Sequence, residues 1–325
     1  MTPTEISQLL VIGVPADGDL SSIRELQPGG VVLFARNAGT RAEVRRLTRA
    51  IEAVCEVPPL ICIDQEGGRV QRLKDGFTPI PSMRELAARG ADAVGLMAMN
   101  VAAELRSVGI ACNFAPVCDV PIHPDDTVIG DRAFSLDALE ATLFAAEYVR
   151  AAQPTILCVA KHFPGHGGVG VDSHQALPTF EGTRDELMNT HVAPFRGALA
   201  AGAGGVMVGH IAVPSVDPSG TPASLSQPVV TGILREELGF RGLVFTDDLE
   251  MNALPQDEIG SVAVRALQAG CDSLLICHSP EKAILARDAI LRALDDGTLA
   301  MERVRDSLER VRWTKRKFGV VAVDK

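Results

Sequence analysis

Eight short apolar runs recur along the chain: LLVIGV (9–14), GGVVLFAR (29–36), PLICID (59–64), ACNFAPVCDV (111–120), TILCVAKHF (155–163), GGVMVGHI (204–211), GLVFTDDL (242–249) and DSLLICH (272–278). They are near-continuous rather than alternating, which is how parallel strands buried on both faces read. Helix-like stretches lie between most of them. Thr40 with Glu43, Ser82 with Glu85, and Thr183 with Glu186 each fit a capping box ahead of an apolar-periodic stretch. Ser279-Pro280 opens another such stretch with proline at the first helical position. Gly109, Gly202, Gly239 and Gly270 follow helical patterns, where a left-handed residue ends a helix.

Strands alternating with helices over this length predict an α/β fold, a single (β/α)8 TIM-type barrel. A doubly wound sheet is the structural competitor. No Pro/Gly/Ser-rich linker divides the chain, so residues 1–325 read as one catalytic domain, with C-terminal helices over about 285–320 and a short tail. The segment IRELQPGG (23–30) is the weakest place in the eight-fold count.

Composition narrows the class. Of 325 residues, 46% are apolar and 22% charged, an ordinary globular balance that excludes a disordered or collagen-like chain. The net charge of −10 argues against a nucleic-acid partner or an anionic membrane surface, since both want a basic face. Aromatics are only 4%, with one Trp and one Tyr, so the core rests on Val, Leu, Ile and Ala. No run reaches the roughly 18–20 apolar residues of a membrane span. The opening MTPTEISQLLVIGV has no basic region and makes a poor secretory signal. The seven cysteines sit mostly in apolar runs without a C-x-x-C pair, as reduced, buried thiols of a cytoplasmic protein do.

A barrel puts its catalytic groups at the C-terminal ends of its strands. Asp64, Asp119, Lys161-His162, His210, Asp247-Asp248 and His278 all fall at or near such ends. Buried charge is costly unless paired, so packing alone does not explain them; ion pairs plugging the barrel mouth are the structural alternative. Adjacent strand residues point to opposite faces, so only one of Asp247 and Asp248 should aim into the mouth, the other serving as hydrogen-bonding support.

The stretch Lys161–His174, KHFPGHGGVGVDSH, is the most informative. Its four glycines and one proline exclude a regular helix, leaving a strand followed by a long loop. Four of the seven histidines fall within 162–191. Asp172 and His174 are two apart, close enough for a carboxylate to orient an imidazole for acid/base work. A zinc site on His162, His166 and His174 is the competing reading, although Pro164 and Gly165 break the helix that H-x-x-x-H spacing suits. A solvated loop with incidental histidines is the third.

At these residues the chain resembles glycoside hydrolase family 3, and more narrowly its bacterial β-N-acetylhexosaminidases of cell-wall recycling. IDQEGGRVQRL (63–73), NFAPVCDV (113–120), VIGDRAFS (128–135), KHFPGHGGVGVDSH (161–174), GHIAVPSVDP (209–218) and ELGFRGLVFTDDLEM (237–251) stand in the family's order over nearly the whole chain. The KHFPGHG…DSH loop is specific to the N-acetylglucosaminidase branch. The resemblance implies a retaining mechanism with Asp247 as nucleophile, His174 as acid/base and Asp172 as its dyad partner. It matches Asp64, Arg72, Arg132, Lys161 and His162 to sugar-binding positions. No cofactor and no catalytic metal are implied. Retaining enzymes usually pair two carboxylates about 5–5.5 Å apart; here a histidine stands for one, and imidazole titrates near the operating pH. Gly209 stands where the family often has alanine, and Thr246 where serine is commoner.

The expected activity is therefore exo-hydrolysis of a terminal β-linked N-acetylglucosamine from a muropeptide-type glycoside, by a cytoplasmic monomer. Phosphorolysis through the same Asp/His pair is the alternative, because a histidine repels phosphate less than a carboxylate does. A sugar-binding protein without catalysis and a metal hydrolase are the other classes considered.

Overall fold

The computed structural model describes residues 1–123, 126–169, 176–255 and 258–321. Eight strands close into a barrel: β1 (Leu10–Gly13), β2 (Gly30–Leu33), β3 (Leu60–Ile63), β4 (Cys112–Asn113), β5 (Leu157–Phe163), β6 (Gly205–Val208), β7 (Leu243–Asp248) and β8 (Ser273–Ile276). Each pairs in parallel with its neighbours in sequence, and β8 closes onto β1 through Leu10↔Leu274 and Ile12↔Ile276. This is the (β/α)8 barrel expected from the eight apolar runs, not a doubly wound sheet.

The helix signals are satisfied locally. Thr40, Ser82 and Thr183 form complete capping boxes at Arg41–Ala53, Met83–Ala87 and Arg184–Glu186. Gly109, Gly202, Gly239 and Gly270 all have positive φ. The ambiguous stretch between the first two runs holds a six-residue helix, Ser21–Leu26, ended by Gln27 in the left-handed conformation. That short helix supplies the first crossover, so the eight-fold count holds. Helices Pro280–Asp295 and Met301–Lys317 complete the C-terminal region.

Although the runs are apolar throughout, their two faces differ in destination. Leu60, Cys62, Leu157, Val159, Leu243 and Phe245 belong to the barrel interior, and Ile61, Ile63, Cys158, Ala160 and Val244 to the layer beneath the helices. The strand period of two therefore carries the interior face onward to Asp64, Lys161 and Asp247. Val311 and Phe318 of the last helix region join the interior cluster. Phe114 and Phe245 meet edge to face, with centroids 5.5 Å apart, inside the barrel. All seven cysteines are unpaired, and six are buried. Among the described residues, no helix is long and apolar enough to cross a membrane.

Two strands break their period where polar residues begin. Along β5 and β6, Ala160 pairs with Val206 but Phe163 with Val208, so β5 carries an extra residue. Along β7 and β8, Phe245 pairs with Ser273 but Asp248 with Leu275, so β7 does too. A bulge of this kind re-aims side chains.

Candidate active site

A cavity of about 400 Å³ opens at the C-terminal ends of the strands. Asp64, Arg72, Arg132, Lys161, His162 and Asp247, six of the residues singled out from sequence, all line it. Asp172 and His174 lie outside the described residues.

The bulges correct one expectation. Both Asp247 and Asp248 face the cavity, rather than one of them. Asp248 still acts as the support: its carboxylate accepts from the N–H of Glu250 (3.1 Å) and of Cys277 (3.3 Å) and lies 3.3 Å from His278 Nε2. Thr246 Oγ1 accepts from Leu275 N–H at 3.1 Å and so ties the bulged stretch to β8. His210 Nε2 donates to the Asp248 carbonyl at 2.9 Å, while its Nδ1 meets Ser224 Oγ at 2.7 Å. Since a carbonyl only accepts, the hydrogen-bond partners fix the proton on Nε2.

The cationic wall is built on carboxylates. Lys161 Nζ lies 2.6 Å from Asp64 and 2.5 Å from Glu66. Arg132 holds Glu66 with a two-pronged contact, Nε at 2.8 Å and Nη2 at 2.9 Å. Glu66 is 2% exposed. Burial alone would push its carboxyl up, but Arg132 and Lys161 outweigh that and hold it well below the usual carboxylate range. Burial likewise would strip Lys161 of its proton, and Asp64 and Glu66 keep it charged. Arg72 Nη2 is 3.7 Å from Asp64, and its buried Nε–H has no acceptor among the described residues.

Local anchors set these groups. Gln65 Oε1 accepts from the N–H of Arg72 and of Leu73, and its backbone exchanges hydrogen bonds with the Asn113 amide. Gly67 sits at φ +127°, and a Cβ there would lie 2.4 Å from the Pro81 carbonyl oxygen. Only glycine lets the chain turn so tightly behind Glu66.

Asp119, fully buried, organises the next strand end. Its Oδ2 accepts from His162 Nδ1 at 2.7 Å, and its Oδ1 from the His166 backbone N–H at 2.6 Å. His162 Nδ1 is thereby committed to a carboxylate, which orients the ring. The peptide between Lys161 and His162 is cis. Gly165 follows at φ +128°, where a Cβ would lie 2.6 Å from His191 Cβ.

Asp247 Oδ1 accepts from Asp248 N–H at 2.9 Å. Burial pushes the Asp247 carboxyl up, but His162, His210, the Asp248 N–H and Lys161 together lower it below its ordinary value. The cavity thus holds an ionised carboxylate on one strand together with an ammonium from another and two guanidiniums from the loops that follow other strands. That arrangement suits hydrogen bonding to a polyhydroxylated ring and attack on an electron-poor carbon.

Sequence reasoning passed over Glu66. Its signal was the charge balance: two cations at neighbouring strand ends need more than the Asp64 carboxylate when all are buried. Asp119 stood at a strand end, but its contacts span 43 and 47 positions and cannot be read from local spacing.

Residues 1–313 match the glycosyl hydrolase family 3 N-terminal domain. A β-hexosaminidase of Methylobacillus flagellatus is 40% identical over 277 residues, covering 82% of this chain and 78% of that protein. A family 3 β-N-acetylglucosaminidase from a Paenibacillus species superposes with a TM-score of 0.95 at 38% identity; the match covers 100% of this chain but 64% of that one. A family 3 glycosyl hydrolase of Mycobacterium smegmatis gives 0.88 at 35% identity, over 96% of each chain.

Proposed function

The chain belongs to glycoside hydrolase family 3, and from that membership we propose that it is a retaining exo-β-N-acetylglucosaminidase acting on muropeptide-type glycosides. The observation that carries the reading is the half-buried, ionised Asp247 at the end of β7, lining the same cavity of about 400 Å³ as Lys161, Arg132 and Arg72. A cavity of that size, closed below by Phe114, favours one terminal sugar over a mid-chain segment.

In this mechanism, an Asp247 carboxylate oxygen bonds to C1 of the sugar as the C1–O bond to the leaving group breaks. His174, oriented by Asp172, gives its proton to the departing oxygen. Neutral His174 then takes a proton from water, whose oxygen bonds to C1 and releases Asp247. Asp64, Arg72, Arg132, Lys161 and His162 hold the sugar's hydroxyls and acetamide. A bound metal or cofactor has no part in these steps. Seven unpaired cysteines fit a reducing, cytoplasmic compartment.

The test is a fluorosugar donor that traps the glycosyl-enzyme, followed by peptide mass spectrometry. A sugar adduct on Asp247 is expected; an adduct elsewhere, or full activity in Asp247→Ala, overturns the assignment. His174→Ala should lose on the order of 10²–10⁴-fold with poor leaving groups and little with an aryl leaving group that needs no protonation. Running the assay in phosphate settles the acceptor, because release of sugar 1-phosphate would replace water by phosphate.

A further inference from the structure

A second cavity, about 1290 Å³, lies at the other end of the barrel. Gly204 and Gly242, just before β6 and β7, form part of its floor, and the last helix, Met301–Lys317, forms one wall. It is lined by Arg196, Arg241, Arg312, Arg316 and Lys317, and by Trp313, the only tryptophan in the chain. Three carboxylates, Glu237, Asp306 and Glu309, also reach it. Glu237 is already paired with Arg184 and Arg196. Arg310 turns away to the buried Asp272. Arg241, Arg312 and Lys317 have no ion-pair partner among the described residues. Trp313 is 55% exposed, with the Lys317 ammonium 4.8 Å from its ring centroid.

A cationic groove on a chain of net charge −10 is a local reversal of the molecule's field. It draws short anions, whereas the remaining surface repels a long polyanion. The exposed indole adds a second requirement. It offers a flat apolar face with a polarised π-system, on which the C–H face of a sugar ring stacks, while the guanidiniums take carboxylates. A simple acidic peptide would use the cations but leave the indole uncovered.

The geometry points to a non-catalytic binding groove for a short, carboxylate-bearing oligosaccharide on the N-terminal face of the barrel, with Trp313 as the stacking platform. This rests on the proposed activity for the choice of glycan: a muramyl unit without its peptide bears a lactyl carboxylate, and one with its peptide bears the peptide's carboxylates instead. The groove would hold the fragment to the enzyme without occupying the catalytic cavity.

The single tryptophan makes the test direct. Full-length protein carrying Asp247→Asn, which slows turnover, is titrated with a tetrasaccharide of alternating N-acetylglucosamine and N-acetylmuramic acid while Trp emission is followed. A saturable change is expected. It should weaken at least tenfold in Arg312→Glu/Lys317→Glu and fall at high salt, while that pair of substitutions in the otherwise unaltered protein leaves aryl N-acetyl-β-glucosaminide hydrolysis unchanged. Chitotetraose, of equal length but neutral, and tetraglutamate, charged but without rings, should bind at least tenfold more weakly. No emission change, an equal response to either control, insensitivity to the charge reversal, or emission that follows protein concentration alone overturns the groove. Hydrolysis of the aryl glycoside reports the catalytic reading separately, so a silent groove on an active enzyme and an occupied groove on an inactive one are distinct results.

Discussion

Glu66 joins two of the three cations that line the cavity, Lys161 and Arg132, and its replacement tests how the site is held. Removing its charge leaves Lys161 and Arg132 buried with less compensation, and breaking a buried pair typically costs about 3–5 kcal/mol. Glu66→Gln is expected to unfold at lower denaturant concentration and to raise KM, because Lys161 and Arg132 lose their fixed positions. The pH dependence has a definite sign. The folded-state carboxyl titrates below its unfolded value, so its stabilisation is present above about pH 4.5 and fades as pH falls through the lower folded value. The gap in stability between the two proteins should therefore be widest near neutral pH and narrow on acidification. Urea titrations at pH 7 and at pH 4 measure it, and a gap that widens in acid contradicts the charge argument.

At the level of the element, the bulges in β5 and β7 matter more than the strands' apolar content. They bring His162 beside Lys161 and Asp248 beside Asp247, pairs that a regular strand would send to opposite faces. Thr246 is the hinge of the second bulge. Thr246→Val keeps the shape but leaves the Leu275 N–H without its acceptor, at a cost of about 1–3 kcal/mol. If the bulge sets the carboxylate, kcat should fall several-fold with KM nearly constant, since the proposed sugar-binding residues Asp64, Arg72, Arg132, Lys161 and His162 stand on other segments. An unchanged kcat with lowered stability would make Thr246 a packing residue only. The 64–73 segment forms a hairpin, Gln65–Gly67 against Val70–Gln71, locked by Gln65 and Asn113, which local spacing does not reveal. Their hydrogen bonds join residues 48 positions apart.

On the scale of the whole molecule, the closed barrel separates two faces, one bearing the candidate active site and one plugged by the last helix. Lys315 of that helix is 1% exposed, and its Nζ donates to Gln8 Oε1 at 2.8 Å. Burial pushes its pKa down to about 8. The folded protein then releases this proton earlier than the unfolded chain does, so the unfolded state binds more protons above about pH 8 and stability rises with pH from there toward 10.5. Lys315→Met removes a buried charge and should stabilise the fold at pH 7 by on the order of 1–3 kcal/mol, less the loss of the Gln8 contact. Chemical denaturation at pH 7 and 9.5 checks this. The advantage of the variant should shrink at the higher pH, and an advantage that grows would show that the ammonium is not penalised.

The amino-acid sequence by itself determined the barrel, its capping boxes, the polar strand ends and the family, because these are set by local periodicity and by motifs that run in chain order. Which face of each strand is interior came from closure of the ring, and the period of two then carries that face to Asp64, Lys161 and Asp247. What only the tertiary structure decided is which charges neutralise one another. Glu66 between Lys161 and Arg132 and Asp119 beneath His162 depend on closure of the ring, while an extra residue in β7 sets Asp247 and Asp248 side by side at one cavity. Burial makes each of those pairings compulsory, and burial is a property of the closed fold rather than of any stretch of sequence.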